Sequence, residues 1–331
     1  MLNTGLLGAG RIGQVHAVNI AGHAGSRLAA VADVNADAAG ALAGRFGAEM
    51  RGTDEILADP GIDAVLIATS TDTHADLIER AVDAGKAVFC EKPVDLSLER
   101  ARACARHAEA SGRPVMLGFN RRFDPSFAAL KAALDAGEVG RAEMLAITSF
   151  DPAPPPIAYI KVSGGLFRDM TIHDFDMAHW LMGGLPETVS ATGSVLVDPA
   201  IGEAGDIDTA VIVMTWADGR IATIRNSRRA AYGYDQRVEL LGEKGLLELG
   251  NIHETTLRRS TDRGVTGAKP TYFFLERYMP AFAAEWDAFV AAASGEGTVP
   301  VGMADGVAAL AMAEAAARSR AEGRPVALGD V

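Results

Sequence analysis

The first third of the chain alternates two patterns. LLGAG, LAAVADV, AVLIAT, KAVFCEKP and PVMLGF are apolar at consecutive positions, whereas IGQVHAVNIAGH and HADLIERAVDAG place their apolar residues on one helical face. A strand that is apolar at nearly every position is buried on both sides, as in a parallel sheet sandwiched between helices. Residues 1–120 therefore read as a doubly wound α/β domain. The pattern changes near Asn120. PAPPPIAY, 152–159, reads as a stiff proline loop that is neither helix nor central strand. After it, VSATGSVLV, AVIVMTW, IATIRNS, RVELLG, LLELG and TTLRR read as strands. ADGR at 217–220 and GEKG at 242–245 read as hairpin turns. ERYMPAFAAEWDAFVAAA and ADGVAALAMAEAAARSRAEG return to helix at the end. The expected second domain, 121–331, is α+β around a large, open, mostly antiparallel sheet.

Composition narrows the function more than the fold. The 331 residues are 49% hydrophobic and 22% charged, the balance of a chain that builds a core. The formal net charge of −12 argues against a nucleic-acid partner, which would need a basic face. Neither a signal peptide nor an apolar run long enough to span a membrane is legible. The two cysteines, Cys90 and Cys104, give no disulfide framework or cysteine zinc site and suit a reducing cytoplasm.

Gly8-Ala-Gly-Arg-Ile-Gly13 follows the first apolar strand and opens a helix, with Asp33 placed 20 positions after Gly13 at the end of the second strand. That context makes the glycine pattern a dinucleotide-binding loop. Gly8 permits a tight turn, Gly10 lets the backbone approach a pyrophosphate and Gly13 lets helix and strand pack closely. The helix start at Arg11 and Ile12 supplies N–H donors. Asp33 would accept from the adenine-side ribose hydroxyls and repel a 2′-phosphate, which favours NAD over NADP.

The strand KAVFCEKP ends in Glu91-Lys92-Pro93, at the carboxyl edge where ligands of such sheets bind. Lys92 there either stabilises developing alkoxide charge or is a surface lysine paired with Glu91. FRDMTIHDFDMAHWLMGG, if helical over 166–182, places Asp169, His173 and Asp176 on one face of an otherwise apolar helix. Such a stripe suits a substrate cleft with His173 as base. The competing readings are an ion network with Arg168, or metal ligation; no metal is expected.

GAGRIG, ATSTDTHADL, CEKP, GFNRRFDPSF, SGGLFRDMTIHDFDMAHWL and NSRRAAYGYDQRVELLGEKG together resemble the Gfo/Idh/MocA oxidoreductase family, and within it the bacterial inositol 2-dehydrogenase branch. The resemblance covers nearly the full chain. It implies a Rossmann domain binding NAD, a cyclic polyol substrate and a homotetramer joined through the second-domain sheet. It also implies a catalytic group of Lys92, Asp169 and His173. His173 is then base and acid, Lys92 polarises the reacting oxygen and Asp169 anchors a hydroxyl. Thr69, His74, Glu91 and Lys92 are expected beside the cofactor, while Arg121 and Tyr232 are expected to reach the substrate. Tyr232 and Tyr234, two apart, are expected to share a strand face. Asp176 would support His173 from below. His16, His23, His107, His179 and His253 receive no functional reading. The expected reaction turns myo-inositol into 2-keto-myo-inositol. Scyllo-inositol, D-chiro-inositol or an aldopyranose are alternative substrates, and a non-catalytic NAD-sensing regulator is the rival of another class.

Overall fold

The computed structural model describes all residues, 1–331. The chain divides into two compact units: Met1–Phe123 with Pro280–Leu310, and Asp124–Met279 with Ala311–Val331. The division at 120 read from sequence thus omits a late segment of the first unit. Trp286, Phe289 and Val290 from that segment complete the first unit's core, a long-range packing that no local pattern reports.

In the first unit β1 (Leu2–Leu7), α1 (Arg11–Gly22), β2 (Ser26–Ala32), α2 (Ala36–Phe46), β3 (Glu49–Met50), α3 (Thr53–Ala58), β4 (Ala64–Ile67), α4 (His74–Asp83), β5 (Ala87–Glu91), α5 (Leu98–Ser111) and β6 (Val115–Gly118) follow in order. The strands pair in parallel in the order β3-β2-β1-β4-β5-β6. The order reverses between β1 and β4, so the loops after those two strands diverge and leave a crevice at their carboxyl ends. Val65, Leu66, Val88, Phe89, Met116 and Leu117 are fully buried, which explains their unbroken apolar runs.

The second unit contains α6 (Pro125–Asp135), β7 (Ala142–Phe150), α7 (Ile157–Ile160), α8 (Leu166–Asp169), α9 (Thr171–Met182), β8 (Thr188–Ser194), α10 (Pro199–Glu203), β9 (Thr209–Thr215), β10 (Ile221–Ser227), β11 (Asp235–Gly242), β12 (Gly245–Leu249), β13 (Arg258–Thr261) and β14 (Gly264–Gly267). The last elements are α11 (Phe274–Ala293) and α12 (Met303–Glu322), each contributing to both units, and β15 (Val326–Ala327). Its main sheet runs β12-β11-β7-β10-β9-β8-β15 and is antiparallel except for the β7–β10 pair. Both expected hairpins form, closed at Thr215–Ile221 and Gly242–Gly245. The chain did not advertise β7 as a strand, although it lies inside the sheet: Glu143, Thr148 and Ser149 leave only the short apolar run Met144–Ile147. The proline stretch ends in helix rather than loop, because Pro156 caps the single turn α7. The TTLRR strand is displaced to Arg258–Thr261. No helix is long and apolar enough to cross a membrane.

Candidate functional site

In the first unit the glycine loop connects β1 to α1. Gly8 has φ +107°, and a Cβ there would stand 2.3 Å from the Ala68 carbonyl oxygen. A Cβ on Gly13 would stand 2.0 Å from the Gly8 carbonyl oxygen, so the helix can start this close to the loop only without a side chain. Around Gly10 nothing lies within 4 Å of the Cβ position. Gly10 is also the cap residue of α1 and supplies no side-chain acceptor. The first turn of α1 therefore has no capping side chain from Gly10, the arrangement that suits an anion at a helix start. Asp33 is tied to the loop: its Oδ2 accepts from Ala9 N–H at 2.6 Å and its Oδ1 from Asn35 N–H at 2.8 Å. A carboxylate has about four acceptor sites, so both oxygens can still accept ribose hydroxyls. An open glycine cradle, uncapped amides and an acceptor at the end of β2 are a chemical fit for a dinucleotide.

The loop after β4 places Thr69 beside Thr73, hydroxyl to hydroxyl at 2.7 Å. His74, at the start of α4, is buried with Nδ1 2.8 Å from the Pro93 carbonyl and Nε2 3.2 Å from that of Thr69. Burial pushes its pKa down. A neutral imidazole has one N–H, and the shorter contact assigns it to Nδ1, so His74 ties the β4 loop to the segment after Lys92. The Lys92–Pro93 bond is cis. Glu91 and Lys92 are half-buried where β5 emerges from the core. The Glu91 Oε1 stands 2.7 Å from His16 Nε2. His16 is fully buried on α1, and nothing in its sequence neighbourhood signalled that pairing. Cys90 is buried and burial pushes its thiol well up, which leaves it inert. Arg121 is buried in the turn Asn120–Phe123, and the neighbouring Arg122 pairs with Asp305 at 2.8 Å.

In the second unit the expected single helix over 166–182 is two helices. α8 ends at Asp169 and α9 starts at Thr171, with Met170 between them. Asp206 Oδ1 accepts from Leu166 N–H at 3.0 Å and anchors the start of α8. Asp169 and His173 are half-buried on successive turns, whereas Asp176 is buried. Asp174 lies off the expected stripe and is also buried, where Asn226 Nδ2 donates to it at 2.8 Å. Thr171 Oγ1 donates to the same amide's oxygen at 2.7 Å, so β10 holds the first turn of α9 through one side chain.

Arg168 is not the ion partner of the stripe; it turns away to Glu314 on α12. The cation that matters is Arg228, just after β10 and only 1% exposed. Its Nη2 stands 3.2 Å from Asp169 Oδ2 and 3.8 Å from Asp206 Oδ2. Tyr159 donates its hydroxyl to Asp169 Oδ1 at 2.9 Å. Asp169 is thus oriented by a buried guanidinium and a phenol, neither of which carried a functional reading in the sequence. The backbone N–H of Arg228 donates to the Asp208 carbonyl at 2.8 Å. The Asp208 carboxylate accepts from the amides of Leu196, Val197 and Asp198 and from Thr209, bonds that outweigh burial and hold its pKa low.

Tyr232 and Tyr234 do not share a face. They flank Gly233, φ +130°, in a turn before β11, so Tyr232 is 47% exposed and Tyr234 is 7% exposed. Tyr232 donates to Asp235 Oδ2 at 2.5 Å, and burial followed by that bond raises its pKa. Tyr234 packs edge-on against Tyr278.

Two family models match the chain. Residues 2–119 match the oxidoreductase family, NAD-binding Rossmann fold, and residues 127–248 match the GFO/IDH/MocA C-terminal domain. An inositol 2-dehydrogenase of Rhizobium meliloti (strain 1021) is 52% identical over 324 residues, 98% of each chain. A crystal structure of a myo-inositol dehydrogenase from Corynebacterium glutamicum superposes with a TM-score of 0.94 at 45% identity, covering 99% of both chains. A scyllo-inositol dehydrogenase from Lactobacillus casei, solved with NAD(H) and scyllo-inositol, superposes with a TM-score of 0.92 at 30% identity, again over 99% of both.

Proposed function

Because this chain belongs to the Gfo/Idh/MocA oxidoreductase family and is an NAD-dependent dehydrogenase acting on CH–OH, we propose that its substrate is a cyclic polyol, myo-inositol, oxidised at one secondary hydroxyl to 2-keto-myo-inositol. The observation that carries this reading is the 52% identity to an inositol 2-dehydrogenase over nearly the whole length. Geometry within each unit supports it: a glycine cradle with Asp33 in one, and an oriented Asp169 one turn before His173 in the other.

NAD, held by the first-turn amides of α1 and by Asp33, supplies the acceptor for the hydride. His173 takes the hydroxyl proton as the C–H bond breaks, so the carbon loses a hydride and becomes a ketone. Positioned general bases of this kind contribute about 10²–10⁴-fold. Lys92 places its ammonium against the reacting oxygen and stabilises negative charge as it develops. Asp169, steered by Arg228 and Tyr159, accepts a hydrogen bond from a ring hydroxyl. Arg121 donates to a further oxygen. The phenol of Tyr232, already donating to Asp235, accepts from a hydroxyl of the ring. A substrate made of hydroxyls is discriminated by whether each oxygen finds its partner, and an unmet partner is costly.

The working form is proposed to be a cytoplasmic homotetramer. Leu241, Met144 and Ile221 line up across β11, β7 and β10, with Val211 and Val213 exposed on β9, so one sheet face presents apolar residues to solvent. A second copy of that face would cover them. The two buried thiols, Cys90 and Cys104, suit a reducing compartment.

Initial rates of NADH formation with myo-, scyllo- and D-chiro-inositol and an aldopyranose, each with NAD and NADP, test the reading. The highest kcat/KM is expected for myo-inositol with NAD. Preference for another ring would reassign the substrate, and no reduced cofactor from any of them would end the proposal.

A further inference from the structure

The mechanism above makes no use of a buried acid behind the end of β5. Glu285, on α11, is fully buried, and neither carboxylate oxygen has a hydrogen-bond donor. Donor atoms of His16, Glu91 and Glu285 all lie within 4.8 Å of one another. His16 faces the group from α1 and Glu91 from β5, and the charge acting on Glu285 is that of Glu91. The walls are aromatic: the His16 ring meets Phe89 edge-on at 5.1 Å and Phe282, also on α11, at 5.7 Å. Two neighbouring carboxylates beside one imidazole, one of them fully buried, cannot both stay ionised cheaply. Burial first, then the charge of Glu91, push the Glu285 carboxyl well above its ordinary range.

A cation among the three donors is the other way to relieve the charge. Two ligands of one zinc-sized ion at bonds of about 2.1 Å stand about 3 Å or more apart. His16 Nε2 and Glu91 Oε1 are 2.7 Å apart, which is a hydrogen bond instead. Glu91 is confined on its other side as well, since a Cβ on Gly118 of β6 would stand 3.1 Å from its Oε2.

We propose that Glu285 holds a proton at working pH and, facing the His16–Glu91 pair as a neutral acid, acts as a positioning residue that keeps Glu91 in place and with it the adjoining Lys92. The neutral state leaves the His16 N–H to Glu91 alone. An ionised Glu285 would repel Glu91 and compete for that N–H. The positioning role rests on the function assigned above to Lys92; the protonation state does not.

Three measurements decide it. Infrared difference spectra between wild type and Glu285→Gln at neutral pH, without substrate, should show one protonated-carboxyl carbonyl band lost in the variant. The second measurement compares Tm across pH. A carboxyl whose folded pKa is raised loses stability as pH climbs above its unfolded pKa of about 4.3, because the unfolded chain releases the proton first. Glu285→Gln should therefore gain Tm relative to wild type as pH rises, with the gap growing until the folded pKa is passed. Third, Glu285→Ala should lower kcat at least about tenfold, and Glu285→Gln should restore it to within about threefold.

An unchanged carbonyl region, a Tm gap that ignores pH, or a stoichiometric divalent ion lost in Glu285→Gln would overturn the protonation. Wild-type kcat in Glu285→Ala would overturn the positioning role. A wild-type enzyme that oxidises no inositol would instead sink the substrate reading and leave the infrared test standing.

Discussion

In the first unit the groups offered to a ligand are mostly backbone: the first turn of α1, reached by a loop in which a Cβ at Gly8 or Gly13 would collide with a carbonyl and nothing fills the space at Gly10. In the second unit they are side chains held by other side chains, as Asp169 is between Arg228 and Tyr159. A backbone cradle is rigid and fails sterically. A charge network fails electrostatically, through whichever partner is left alone in the interior. The first arrangement suits a cofactor with one fixed pyrophosphate, the second a ring whose hydroxyls must each find a partner.

The largest effect should come from the charge network. Arg228→Met leaves Asp169 and Asp206 without their buried cation, and breaking a buried pair in this way costs about 3–5 kcal/mol. Denaturant unfolding should show that loss together with reduced turnover; a stability within about 0.5 kcal/mol of wild type would mean the network is not what holds Asp169. Next is the steric arm. Gly13→Ala drives a methyl to 2.0 Å from the Gly8 carbonyl and should weaken NAD binding by about 100-fold, roughly 2.7 kcal/mol. Calorimetric titration measures it, and unaltered affinity would show that the loop can yield. The smallest expected change is Asp33→Ala, which removes an acceptor and a tie to Ala9 N–H but no packing. NAD affinity should fall about tenfold, or 1.4 kcal/mol, and the preference over NADP should shrink. An unchanged cofactor ratio would remove Asp33 from the cofactor account.

The same contrast governs what the chain discloses in its sequence. Parallel strands buried on both faces write themselves as apolar runs, so β1, β2, β4, β5 and β6 were legible, and the two residues of β3 were too few to show. The glycine loop is local and its spacing carries its geometry. In the second unit, β7 was hidden because Glu143, Thr148 and Ser149 shorten its apolar run to four residues. The break at Met170 was hidden because Asp169 and His173 keep helical spacing across it. Arg228 was missed as a partner because it lies 59 residues from Asp169 in the chain. The His16–Glu91–Glu285 cluster was invisible for the same reason, assembled from α1, β5 and α11. Long-range pairing of charges has no period, and periodicity was the signal available.

Hydride transfer from a polyol needs a base, and the account gives that task to His173. Turnover of myo-inositol and NAD affinity should be measured side by side for wild type and His173→Ala. In His173→Ala, kcat should be lower by at least about 10²-fold with the NAD dissociation constant within about twofold of wild type. Turnover that survives the substitution would contradict it.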